Sequence, residues 1–144
     1  MFKIVISLAY LILISLSDLR WQQIPNAMLF ALFTSIFSFE ISSAYRAIPA
    51  HLLCAVFFGI VFFFITYYTK GLGVGDIKLA AVLGYSNGFI QTVLILTSAA
   101  FLGLIFYLLF LIFRKKINVL PFAPFVLFGY LITLPLVGRV NELL

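Results

Sequence analysis

The chain has 144 residues, of which 65% are hydrophobic and only 9% charged, where an average soluble domain carries about 25% charged residues. So little polar surface cannot cover a water-soluble core, so high an apolar content excludes intrinsic disorder, and a single cysteine excludes an intrachain disulfide framework or a multi-cysteine zinc site. What is left is an integral membrane protein with short loops, whose net charge of +5 is scattered over helix ends as topology signals rather than gathered into a nucleic-acid-binding patch.

A helix needs about 20 residues to cross roughly 30 Å of hydrocarbon, so the chain accommodates about five or six spans and no separate soluble domain. The first apolar run, residues 2–17, is followed at once by Asp18-Leu19-Arg20-Trp21-Gln22-Gln23-Ile24-Pro25-Asn26. A secretory signal would show a small-residue cleavage site there. A polar turn leading into another helix stands in its place, so the run reads as a retained helix, with Lys3 snorkelling and Trp21 anchoring at the interface. Pro25 and Asn26 suit the start of a second helix, which runs to about residue 44. A short loop with Arg46 leads to a phenylalanine-rich third helix over about 50–69. Then come Lys70-Gly71-Leu72-Gly73-Val74-Gly75-Asp76, a short element over 77–85, and the turn signal Ser86-Asn87-Gly88. A long apolar helix over 89–113, the basic cluster Arg114-Lys115-Lys116, Pro121-Phe122-Ala123-Pro124 and a last apolar stretch over 125–137 complete the chain. No repeat or domain boundary interrupts it, and the expected fold is one all-α, polytopic membrane helix bundle over 1–144.

The basic residues decide between five and six crossings. With six crossings and the amino terminus outside, Arg20, Lys70, Lys78, Arg114, Lys115 and Lys116 lie inside and Lys3, Arg46 and Arg139 outside. That is the sign of the positive-inside rule. With five crossings the basic cluster moves outside and the bias is lost, so about six transmembrane helices are expected.

Four acidic residues remain: Asp18, Glu40, Asp76 and Glu142. A carboxylate close to hydrocarbon is costly and calls for a reason. Asp18 ends the first helix and Asp76 begins the fourth, so both fall at the inner side in the six-crossing arrangement. Glu40 lies about 21 Å along the second helix from Asn26, near the opposite face. Two carboxylates at one depth on different helices allow aspartic-protease chemistry. Like charges a few ångströms apart do not ionise together, so the pair shares a proton. The ionised member then activates water, and the protonated one polarises a scissile carbonyl or protonates the leaving amine. This chemistry needs neither a metal nor a cofactor. Gly73 and Gly75 fit beside it, since glycine lets a backbone come close to a carboxylate. Ala80 and Gly84 form a small-residue pair suited to close helix packing.

Plainer readings exist for each residue. Asp18 can cap the second helix or pair with Arg20, and Asp76 suits any helix N-terminus. Glu40 reads as a snorkelling or interhelix-bonded residue, His51 as interfacial and Cys54 as a small core hydrophobe. Lys78 either marks the cytoplasmic boundary or assists the electrostatics of the acidic pair. The glycine run fits neither a dinucleotide fingerprint nor a Walker A loop.

Asp18 with Ile24-Pro25-Asn26, then Gly73-Val74-Gly75-Asp76-Ile77-Lys78-Leu79, then Leu120-Pro121-Phe122-Ala123-Pro124-Phe125, closely resemble the type IV prepilin peptidases, which are GxGD-type intramembrane aspartyl proteases. The resemblance implies six helices, Asp18 and Asp76 as a catalytic pair facing the cytoplasm, and a multi-pass protein of the cytoplasmic membrane. It implies as substrate a prepilin or pilin-like protein whose short basic leader is cut off beside a hydrophobic helix, typically after a glycine. Gly73, Gly75 and Lys78 are then supporting residues, and Pro25, Asn26, Pro121 and Pro124 candidates for the border of a substrate groove. Larger bifunctional members carry an extra amino-terminal region, often with a four-cysteine zinc motif, and methylate the product. This chain begins at the peptidase core with Cys54 alone, which points to the short peptidase-only form and against methylation. The alternatives from other classes are a small proton-coupled carrier, in which intramembrane acids mark a pathway, and a non-catalytic pilus assembly factor.

Overall fold

The computed structural model describes residues 2–43, 45–69, 73–112 and 121–143, with side chains described for 3–43, 45–69, 73–112 and 121–135. Lys70, Gly71, Leu120 and the Arg114-Lys115-Lys116 cluster lie outside the described residues, as do the side chains of Arg139 and Glu142. The structure is an all-α bundle of α1 (Phe2–Trp21), α2 (Asn26–Ser43), α3 (Ile48–Thr69), α4 (Val74–Ile112) and α5 (Ala123–Leu143), with a 3₁₀ turn at Tyr45–Ala47. Among the described residues four helices are long and apolar enough to cross a membrane, and the apolar stretch Ala123–Pro135 is shorter.

The helix ends follow from local chemistry. The first helix stops where Gln22 takes a left-handed φ of 50° and donates its amide to the Asp18 carbonyl at 2.9 Å, a C-terminal cap more often made by glycine. The second begins as the Pro25 carbonyl accepts the Met28 and Leu29 amides. Pro49 and Pro124 each occupy the first turn of their helix, where a missing N–H costs nothing. Trp21 is exposed, with the Arg20 guanidinium 5.1 Å from its ring centroid, an arrangement suited to the membrane interface.

Helix α4 does not run straight. Gly88 has φ 73° and ψ −177°, a region open essentially to glycine alone. In a continuous helix Leu83 and Thr92 would be about 13.5 Å apart at 1.5 Å per residue, yet the Thr92 hydroxyl donates to the Leu83 carbonyl at 3.0 Å. The chain therefore doubles back at Gly88, and α4 is a helical hairpin with a first arm over 74–87 and a second over 89–112. The Asn87 side-chain amide and the Ser86 hydroxyl also donate to the Leu83 carbonyl, each at 3.2 Å, so an acceptor freed at the break is satisfied inside the protein. With α1, α2, α3 and α5, the two arms supply the six helical segments expected from the sequence. The first arm rises about 21 Å, short of a full crossing.

Glycines bring the helices together. A Cβ on Gly84 would lie 2.8 Å from the Phe58 ring and 2.9 Å from the Cys54 carbonyl, so the first arm of α4 packs directly on the α3 backbone. One on Gly129 would lie 2.6 Å from the Ile95 carbonyl, which sets α5 against the second arm. Leu11, Ile14, Leu79, Leu83, Ile95, Val126 and Tyr130 form the main core. Phenylalanines and tyrosines of α3 and the second arm of α4, among them Phe63, Phe64, Tyr68, Phe101 and Phe106, face outward. That is the inverse of a water-soluble surface and the expected face toward lipid.

Candidate active site

Four chain segments meet at one end of the bundle: the end of α1, the linker into α2, the start of α4 and the start of α5. Asp18 is buried at 6% exposure, and its Oδ2 accepts the Ala123 backbone amide at 2.9 Å. It thus caps α5, an element 105 residues further on, rather than α2 or Arg20. A carboxylate at a helix N-terminus meets unsatisfied N–H groups and the positive end of the helix dipole. The contact also joins two of the three sequence motifs.

Asp76 is half-buried in the first turn of α4. Its Oδ2 accepts the Gly73 amide at 2.8 Å while its own amide donates to the Gly73 carbonyl at 3.1 Å, so the side-chain half of a capping box is present and a backbone carbonyl stands where the other half would use an N-cap side chain. The N-terminal role considered for Asp76 is therefore part of its geometry. It does not use up the residue, because the Asp18 charge also acts on it. Two acids far apart in sequence are thus close enough to repel when both are ionised.

The glycines differ in their reasons. A Cβ on Gly75 would come within 3.0 Å of the Ile24 Cβ, so the α1–α2 linker rests against the backbone beside Asp76 because there is no side chain between them. A Cβ on Gly73 would meet nothing closer than Asp76 Oδ2 at 3.5 Å, an ordinary contact, and space alone does not demand glycine there. Lys78 Nζ donates to Asn26 Oδ1 at 2.8 Å, tying the α2 start to the α4 start and leaving Asp76 to Gly73.

Beside this pair runs an open groove of about 300 Å³, lined by Asn26, Leu29, Phe30, Phe33, Lys78 and Val82. Of the residues considered for a substrate groove, Asn26 lines this one. Pro25 heads α2 outside its lining, Pro121 precedes α5 and Pro124 is buried in α5's first turn. Leu29, Phe30, Phe33 and Val82 were not singled out from the sequence. Their spacing, three, four and seven from Asn26 and four from Lys78, marks one helix face, but lipid-facing and core positions carry the same spacing. The Ala123 amide left no trace at all, being backbone.

The all-α bundle thus gathers two acids, a close-packed glycine and a lysine at one end. The model of the type IV leader peptidase family matches residues 5–108. The chain belongs to that family, and is a membrane peptidase of the leader-peptidase kind. The match takes in both aspartates and ends before the Pro121–Pro124 segment, which the Asp18–Ala123 contact places in the site independently. Comparison with curated proteins and with solved structures gave no match.

Proposed function

We propose that the protein is an aspartic endopeptidase that removes the leader from type IV prepilins or pilin-like preproteins at the cytoplasmic face of the inner membrane. The carrying observation is geometric: the α1 end, where Asp18 holds the Ala123 amide, and the α4 start, where Asp76 holds the Gly73 amide, come to one end of the bundle, with Ile24 of the linker after Asp18 packed against Gly75 beside Asp76. A water between them loses a proton to the ionised carboxylate as its oxygen attacks the scissile carbonyl. The protonated partner donates to the carbonyl oxygen, and the tetrahedral intermediate collapses as the leaving amine takes up a proton. No covalent intermediate forms, and no side-chain nucleophile is required.

The apolar groove along Leu29, Phe30, Phe33 and Val82 has its polar end at Asn26 and Lys78. Lys78 is two residues from Asp76, and Asn26 two from the Ile24 that rests on Gly75. The groove's polar end thus lies on the same two elements as Asp76 and Ile24, though neither aspartate lines it, and an apolar substrate helix lying along the groove would carry its scissile bond beyond that polar end toward the acidic pair. The family membership weighs against the carrier reading, and the presence of both acids in one site against a non-catalytic assembly factor.

The test is cleavage of a purified prepilin by the purified protein in detergent. A shortened product is expected from the native chain. Asp18→Asn and Asp76→Asn, inserted in the membrane to the same extent, should each lose at least about a hundredfold in rate, as removal of a general acid–base group does. Normal cleavage by either variant would refute the assignment of the pair.

A further inference from the structure

The opposite end of the bundle holds a second polar cluster, which no step of the proposed reaction uses. Glu40, near the end of α2, is fully buried. Its Oε1 accepts from Lys3 Nζ on α1 and pairs with His51 Nδ1 on α3 at 2.6 Å. The Tyr85 hydroxyl, on the first arm of α4, lies beside the same carboxylate but outside hydrogen-bond geometry, and Glu40 Oε2 has no hydrogen-bond partner among the described residues. The Tyr85 ring is itself fully buried. It packs 4.9 Å from the Phe33 centroid and 6.3 Å from that of Phe37, with the His51 ring edge-on at 6.0 Å. Gly88, where α4 reverses, faces the same imidazole. Four helices thus converge on one carboxylate.

Burying such a group is a poor way to gain stability, since a well-packed apolar replacement is often as stable or more so. Its placement points to another role. Lys3 lies on the helix that ends in Asp18, and Tyr85 on the arm that begins at Asp76. The first and fourth helices pack mainly through their neighbours rather than on each other, so little direct contact sets their relative height and rotation. At the catalytic end the same two helices carry the two aspartates, whose spacing their packing must set.

We propose that Glu40 is a positioning residue: by holding Lys3 directly and, through His51, the Tyr85 ring, it ties together the far ends of the two helices that carry the aspartates and thereby sets the spacing of the pair. The catalytic consequence rests on the reading of Asp18 and Asp76 given above; the mechanical tie does not. A helix is stiff along its axis, and Tyr85 is nine residues, about 13.5 Å, from Asp76. A shift or rotation released at Tyr85 is therefore delivered to Asp76 almost undiminished.

The experiment uses the full chain with Cys54→Ala and cysteines for spin labels at Leu19 and Val74, which are exposed beside Asp18 and Asp76. Pulsed electron resonance then reads the spacing of the helix ends, and cleavage of a prepilin reads kcat, KM and the pH profile. Glu40→Gln should broaden or shift the measured distance, reduce kcat by about ten- to a hundredfold, the scale of a misplacement near 1 Å, leave KM within about twofold and displace the pH profile, because the coupling of the two acids depends on their separation. His51→Leu, which removes the imidazole linking Glu40 to the Tyr85 ring, should give a change of the same kind, and serves if Glu40→Gln does not fold. An unchanged distance, or a changed distance with native kcat and pH profile, would overturn the proposal. A lower melting temperature with neither change would reduce Glu40 to a purely structural role. Should the native chain cleave nothing, the functional reading falls, and the distance alone decides whether Glu40 ties the two helices.

Discussion

Asp18 caps α5 through the Ala123 amide, and in the proposed reaction the same carboxylate is also one of the two acids. Asp18→Asn keeps an acceptor for that amide and removes only the acid, whereas Asp18→Ala removes both. The alanine variant should therefore lose about 1 kcal/mol of stability that the asparagine variant retains, the usual size of a lost cap, read as separate denaturation midpoints in detergent. Gly75 permits a still closer approach. Gly75→Ala should lower cleavage by pushing on Ile24, and Ile24→Ala should restore part of the loss when combined with it; independent, additive effects would show that the two residues do not share the contact. A pair that works with one shared proton also needs a bell-shaped pH–rate profile. Acid protonates the base, alkali removes the proton of the acid, and activity falls on both sides. A profile that rises to a plateau would count against the pair. The motifs made Asp18 and Asp76 legible from sequence, but their amide partners were not, because a backbone N–H carries no residue signature.

At the scale of the element, the hairpin of α4 governs the site. Asp76 is held at the bundle end because its arm is short and returns at Gly88. Gly88→Ala should cost about 1–3 kcal/mol, the range for a side chain forced into a glycine-only conformation, and should lower the detergent melting temperature. Gly129→Ala places a methyl 2.6 Å from a backbone carbonyl, which cannot yield as a side-chain end would, so α5 must move from the second arm of α4. A loss of about 1–3 kcal/mol is expected, as for overpacking in a core. The break at Gly88 was visible in Ser86-Asn87-Gly88, and Ala80 with Gly84 marked a close-packed helix face. Gly129 had no such flag, because the carbonyl it meets lies on another helix.

For the whole molecule, the outward-facing aromatic residues leave the bundle no soluble form. The protein should stay with membranes through high-salt and alkaline carbonate washes and be released by detergent alone; release by carbonate would contradict the all-α membrane architecture. Among the described residues, two clusters of charged groups stand at opposite ends of the bundle. The acidic pair with Lys78 and Asn26 occupies one, and Glu40 with Lys3 and His51 the other, with the Leu11, Ile14, Leu79 and Leu83 core between them.

Class and segmentation were readable from the chain alone, because hydropathy, span length and turn chemistry are local properties carried by consecutive residues. The family was readable because its motifs are short runs of consecutive residues, legible whatever the packing between them. Partners were not. That Asp18 reaches across to α5, that Lys78 turns to Asn26 and that Glu40 gathers Lys3 and His51 all depend on how each helix is rotated about its axis. That rotation is decided only when all the helices pack at once, since a nearly uniformly apolar helix has no polar face to fix it in advance.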